Sequence, residues 1–250
     1  MSRAEFHFHA ELNDLLAPAR RGAAVTYRFG GRVSIKDVIE SLGVPHTEIA
    51  AIVVGSTAVD FAYIVRDSDR VEVFPSPEPT AHAALRPPFP GSPRFVLDTH
   101  LGQLASYLRM LGFDTLYRND YPDEELARIA SQDPRILLTR DRGLLKRSIV
   151  TYGRYVRATD PRLQVVEIVR RYELAGRMMP LRRCLTCNGL LRPARKEDVL
   201  DRLAAKTREY FHEFSQCESC GQVYWKGSHY DRMRQFVEQV LETDHGDGRA

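Results

Sequence analysis

Two sets of chemistry-bearing residues stand at telling positions along the chain. Cys184, Cys187, Cys217 and Cys220 form two C-x-x-C pairs late in the sequence. Asp98 and Asp141 each end an apolar run, while Asp123 and Asp160 each open a helical pattern. Four thiolates complete a tetrahedral Zn²⁺ site and leave no open position for water, so the cysteines predict a structural zinc. An iron–sulfur cluster would use the same donors. A redox dithiol would need a βαβ setting that the neighbouring residues do not form.

The carboxylates predict different chemistry. Asp98 closes the apolar run "RFVLD" and Asp141 closes "RILLTRD". A carboxylate at the end of a buried strand is costly unless something pairs with it. In open parallel α/β sheets, functional groups collect beyond the C-terminal strand ends. Asp123 opens the helical stretch "PDEELARIASQD", with Glu124 beside it as a reserve, and Asp160 follows "YVRA". Converging carboxylates repel one another unless a cation neutralises them, and Mg²⁺ or Mn²⁺ is the natural cation for oxygen donors. Asp123 and Asp160 equally suit helix N-caps, where a carboxylate accepts free backbone N–H groups.

Cations interleave with these acids. Arg140 and Arg142 bracket Asp141, and Lys146 and Arg147 follow, while Arg109 and Arg118 lie further upstream. A metal site rimmed by Arg and Lys suits a polyanionic substrate, with the rim holding phosphates that flank the scissile one. After the second cysteine pair, Trp225, Lys226, His229, Tyr230 and Arg232 mix aromatic faces with charge. That mixture can stack on bases and grip phosphates, or simply pack the ribbon.

The elements that must position these groups follow from periodicity. The stretch "EFHFHA" alternates as a half-buried strand does, as does "AVTYRF". "SIKDVIESLG" predicts a helix with Ser34 as N-cap, Ile35, Val38, Ile39 and Leu42 on one face, and a stop at Gly43. "IAAIVVG" and "DRVEVFP" predict further strands. A proline-rich stretch from Phe74 to Pro93 reads as a linker. Beyond it strands and helices alternate, which predicts a parallel sheet with helical cover. Here "LGQLASYLRMLG" places Leu101, Leu104, Ala105, Leu108 and Leu111 on one helical face.

At 43% hydrophobic and 28% charged over 250 residues, the composition is that of an ordinary globular chain. A net charge of +3 neither requires nor excludes nucleic acid. No apolar run approaches the ~18 residues of a membrane span. The start "MSRAEFHFHAEL" lacks an apolar signal core, which predicts a cytoplasmic protein with no membrane partner and reduced cysteines.

The N-terminal motifs "VSIKDVIESLGVP", "AIVVG" and "DSDRVEVFP" resemble a ubiquitin-like β-grasp domain of the sulfur-carrier type. Such carriers end in a free Gly-Gly, whereas this segment runs on into Phe74-Pro75-Ser76-Pro77. A docking role is expected rather than carrier chemistry. From about Arg94 to Val240 the chain resembles the Mut-seven C-terminal RNase family, of the PIN-like nucleases. The matching motifs are "FVLDTHLGQLASYLRMLGFDTLY", "DEELARIA", "RILLTRDRGLLKR", "RCLTCNGLL" and "CESCGQVYWKGSHYDRM". Thr99-His100 depart from relatives that commonly carry a methionine before the leucine.

The resemblance implies a PIN-like α/β/α domain with a C-terminal zinc ribbon. It also implies a metal-dependent RNase site at Asp98 and Asp141, joined by Asp123 and Asp160. The expected layout is a β-grasp domain at 1–76, a linker at 77–93, a nuclease core at 94–176, a ribbon with C-terminal helix at 177–242 and a tail at 243–250. RNA is the expected partner, with tRNA or ribosome-associated RNA as candidates, and the β-grasp domain leaves room for a protein partner. The competing expectation is a non-catalytic RNA- or ribosome-binding factor.

Overall fold

Two-residue alternation sets the first sheet. In β1 (Ser2–Phe8), Ala4, Phe6 and Phe8 point inward and are at most 1% exposed, while Glu5 and His7 point to water. The computed structural model describes residues 1–75, 85, 87–180, 182–228, 231, 232, 235, 236, 238 and 239. The N-terminal elements continue with β2 (Val25–Phe29), α1 (Ile35–Ser41), β3 (Ala51–Val54), β4 (Thr57–Ala58) and β5 (Arg70–Phe74). Then come β6 (Phe95–Leu97), α2 (Gly102–Met110), β7 (Thr115–Tyr117), α3 (Asp123–Gln132), β8 (Ile136–Thr139), α4 (Arg142–Leu145), β9 (Gly153–Tyr155) and α5 (Pro161–Arg171). The last elements are β10 (Leu191–Ala194), α6 (Ala205–Tyr210), β11 (Phe214–Cys217) and β12 (Val223–Trp225). Between the two cysteine pairs, two 3-10 turns precede the short α6. Among the described residues no helix is long and apolar enough to cross a membrane.

Contacts divide the chain into two units, Met1–Pro90 with Asp123–Tyr155, and Gly91–Pro122 with Val156–Ala250. The first holds a five-stranded sheet in the order β2-β1-β5-β3-β4. Its central pair, β1 and β5, is parallel, and the flanking pairs are antiparallel, which is the β-grasp arrangement. Helix α1 covers one face with Ile35, Val38 and Ile39. Ser34 caps it, accepting from the Asp37 N–H at 3.1 Å and donating to the Asp37 carboxylate at 2.7 Å. Gly43 ends the turn at φ +114°, and a Cβ there would lie 2.9 Å from the Leu15 carbonyl oxygen, so glycine is required.

The same unit contains α3, α4 and the parallel pair β8–β9. All four residues of β8 are buried, as expected of a parallel strand covered on both faces. A polar seam ties this segment to the β-grasp sheet. Glu48, with its side chain 0% exposed, accepts from Arg154 Nη1 at 2.8 Å and from the Tyr155 N–H at 2.6 Å. Glu11 lies 3.6 Å from the same guanidinium. His46 bonds the Glu40 carboxylate through Nδ1 and the Val150 carbonyl through Nε2. The unit therefore runs across the proline-rich stretch.

The second unit holds the parallel pair β6–β7, helices α2 and α5, and an antiparallel ribbon β10-β11-β12. All three residues of β6 are 0% exposed. Gly112 ends α2 at φ +95°, where a Cβ would stand 2.2 Å from the Met179 carbonyl oxygen.

The buried seam predicts an asymmetric cost. Glu48→Gln leaves the Arg154 charge poorly compensated and should lower stability by about 3–5 kcal/mol. Glu11→Gln, on the partly exposed side of the same guanidinium, should cost about 1 kcal/mol or less. Chemical denaturation of the two variants checks the difference.

Candidate functional site

The two cysteine pairs fold into copies of one turn. In the first, the Cys184 N–H donates to the Gly189 carbonyl at 2.8 Å and the Asn188 N–H donates to the Cys184 carbonyl at 3.0 Å. In the second, the Cys217 N–H donates to the Gln222 carbonyl at 2.9 Å and the Gly221 N–H donates to the Cys217 carbonyl at 3.0 Å. The fifth position of each turn is left-handed, with Asn188 at φ +71° and Gly221 at φ +75°. Asn and Gly are the residues that tolerate this conformation.

The turns bring the thiols together. Cys184 Sγ lies 3.6 Å from Cys220 Sγ, and Cys187 Sγ lies 3.4 Å from Cys217 Sγ. All four sulfurs lie within 4.8 Å of one another. Sulfurs placed tetrahedrally at a Zn–S length of ~2.3 Å stand about 3.8 Å apart, so the donor set fits the ion.

Groups around the knuckles tune them. Burial opposes the Cys184 thiolate, but the Tyr224 hydroxyl and the Cys187 and Thr186 N–H groups outweigh it and bring the thiol down to about 6. Burial, with the neighbouring sulfurs adding to it, pushes Cys187 up to about 12. Burial and the adjacent Cys184 raise the Tyr224 phenol to about 12, which keeps it a donor. Its oxygen lies 3.2 Å from Cys184 Sγ and accepts from the Leu185 N–H at 3.1 Å.

Arg109 corrects an expectation. The cation rim was expected to include it, yet it is 4% exposed, behind the first knuckle. Its Nη1 donates to the Leu185 and Thr186 carbonyls, both at 2.9 Å, and its Nε donates to the Thr115 carbonyl at 3.0 Å. Burial lowers its pKa, and the charges of Cys184 and Cys187 oppose that shift. Asn188 adds a second tie, accepting from the Thr115 N–H at 2.9 Å and donating to Asp114 at 2.8 Å. The "CNG" triplet was the only sequence signal for this arrangement, because asparagine suits the left-handed turn.

Each acidic residue stands where its element was expected to end or begin. Asp98 follows β6, is 7% exposed, and caps a 3-10 turn by accepting from the Thr99 N–H at 2.5 Å. Asp141 caps α4, accepting from Gly143 at 2.6 Å and Leu144 at 3.4 Å. Asp160 caps α5, accepting from Arg162 at 2.8 Å and Leu163 at 3.2 Å. In all three the cap bonds fall on Oδ1. Asp123 is the exposed first residue of α3. Asp123 and Asp141 belong to the first unit, Asp98 and Asp160 to the second.

The basic and aromatic candidates divide in the same way. Arg142 donates from Nη1 to the Leu15 carbonyl at 2.7 Å, and Lys146 donates to the Glu40 carbonyl at 2.6 Å, so both reach into the β-grasp module. Arg140 is half-buried just after β8. In the second unit, Trp225 is 39% exposed and Lys226 pairs with Glu213. Both line a groove of about 1000 Å³ that also includes Arg183, Phe211, His212 and Tyr224. His229 lies outside the described residues.

A family model described as the Mut7-C RNAse domain matches residues 93–237, and one described as Mut7-C ubiquitin matches residues 1–81. No curated protein and no solved structure matches the chain.

The phenol at the knuckle yields a prediction. Tyr224→Phe removes the donor to Cys184 and the acceptor for Leu185, and should weaken metal retention about 10–100-fold. Competition against a chromophoric chelator measures it.

Proposed function

The chain belongs to the Mut7-C RNAse domain family, and on that premise we propose that it hydrolyses RNA phosphodiester bonds with a divalent metal held by Asp98, Asp123, Asp141 and Asp160. The supporting observation is Asp98, a carboxylate 7% exposed at the end of a strand whose three residues are wholly buried. The donor set is all oxygen, as Mg²⁺ and Mn²⁺ prefer. A bound ion of this kind supplies charge to the phosphoryl oxygens and lowers the pKa of a coordinated water.

The side chains divide the remaining work. Cap bonds orient the Asp98 carboxylate at the start of a 3-10 turn and the Asp141 carboxylate at the start of α4. Arg140 steadies a flanking phosphate. Arg142 and Lys146, which already donate to backbone carbonyls, add positive potential around the substrate rather than a dedicated clamp. Trp225, Lys226 and His229 take the neighbouring nucleotides, with a base stacked in the ribbon groove. The four cysteines carry a structural zinc, which fits their spacing and closed coordination. The ubiquitin-like module supplies a surface for a protein partner, and tRNA or ribosome-associated RNA are the substrates to try first.

Cleavage of labelled single-stranded RNA and tRNA by the zinc-loaded chain, with Mg²⁺ or Mn²⁺, tests this reading. Asp98→Asn and Asp141→Asn should each lower the rate at least about 100-fold, with zinc content and thermal unfolding unchanged. Undiminished cleavage in both variants rules the site out. Binding without turnover in either metal favours the non-catalytic RNA-binding reading instead. Trp225→Ala should weaken RNA binding by about 1–3 kcal/mol, seen as a higher Kd.

A further inference from the structure

We propose a second metal site, for a borderline transition cation such as Zn²⁺ or Ni²⁺, formed by His7, His9 and Glu72 on the outer face of the β-grasp sheet. Strand geometry assembles the three residues. Alternation along β1 sends Phe6 and Phe8 into the core and His7 outward. His9 falls two residues on and keeps the ladder going, its N–H donating to the Val73 carbonyl at 3.0 Å. The parallel register of β1 with β5 sets Glu72 directly beside His7. Two imidazoles and one carboxylate therefore face the same way from two adjacent strands.

The distances suit an ion. His7 Nδ1 lies 3.4 Å from Glu72 Oε2, and His9 Nε2 lies 2.5 Å from the same oxygen. One donor atom from each of the three residues lies within 4.8 Å of the others. Nitrogen and oxygen ligands at ~2.0–2.1 Å in tetrahedral array stand about 3.3–3.4 Å apart. The His7 pair already has that spacing, and the His9 pair needs to open by less than about 1 Å. The His9 ring stacks on Phe74 at 4.2 Å with an interplanar angle of 7°, which holds its plane while Nε2 faces Glu72. His7 and His9 ring centroids are 4.7 Å apart.

The donor chemistry selects the cation. Imidazole nitrogens favour Zn²⁺, Ni²⁺ and Cu²⁺ over Mg²⁺ and Ca²⁺, which want oxygen. The three side chains are 35–47% exposed, so an ion enters from solvent without any rearrangement of the core. Three protein ligands leave at least one coordination position for water or for a donor from outside the chain. The site is distinct from the cysteine cluster in donor type and in sequence. The competing account is that Glu72 merely pairs with protonated histidines, in which case the triad binds no ion.

Calorimetric titration of the full chain, with its cysteines preloaded with zinc, by Ni²⁺ alone separates the two accounts. One saturable equivalent of Ni²⁺ is expected. His7→Asn, His9→Asn and Glu72→Gln should each weaken it at least tenfold, and the double histidine variant should abolish it. Exposed polar replacements on a sheet face keep the fold, which the thermal unfolding curves of the variants verify. No saturable Ni²⁺ binding by the unmodified chain, or unchanged binding in the double variant, overturns the proposal.

Discussion

A guanidinium withdrawn from water calls for acceptors, and each unit of this chain buries one that meets several, although Arg154 Nε has no partner among the described residues. Arg154 meets the wholly buried Glu48 and, at its more exposed side, Glu11. Arg109 meets three backbone carbonyls, two of which belong to the first cysteine knuckle. Losing either cation would strand acceptors in an apolar setting, which costs more than the net gain of an ordinary hydrogen bond. Each arginine thus fixes one segment against another far away in sequence. The 3-10 turn that carries Glu48 in the β-grasp module is tied to β9 in the first unit, and the knuckle is tied to α2 and β7 in the second.

The short helix α4 shows how closely the roles are packed. Asp141 caps its start, while Arg142 and Lys146, one at its first turn and one just past its end, hold carbonyls of the N-terminal module. A segment of about one turn therefore combines a proposed metal ligand with two docking contacts. The Arg142 guanidinium also lies 5.5 Å from the Tyr155 ring centre, and that ring packs on the β-grasp core. The N-terminal module is thus part of the packing around one of the acidic strand ends, which places more weight on it than a tethered appendage would carry.

The cysteine cluster follows a different logic. Its two turns repeat one hydrogen-bond pattern, so its geometry is set locally and then joined by a single ion-sized gap between sulfurs. The Tyr224 hydroxyl favours thiolate at Cys184, opposing the burial that would otherwise disfavour it. Such support from outside the ligand set is what orients ligands and holds an ion in place.

Much of this was legible in the residues alone. Alternation marked β1 and β2, the Ser34 cap marked α1, and apolar runs ending in aspartate marked β6 and β8, because these signals lie within a few residues of one another. The knuckles were legible for the same reason, since C-x-x-C followed by a turn residue is a local statement. What the sequence could not declare is which long side chain reaches which distant acceptor. Glu48 and Arg154 are 106 positions apart, and Arg109 and Leu185 are 76 apart. The bonds of Arg142 and Lys146 to carbonyls of the β-grasp module are not written in the local pattern, and His7 and Glu72 meet only through the parallel register of β1 and β5. Local patterns determine where a strand or a turn forms. Only tertiary packing decides which charges are removed from water together, because that depends on burial, and burial is a property of the folded chain.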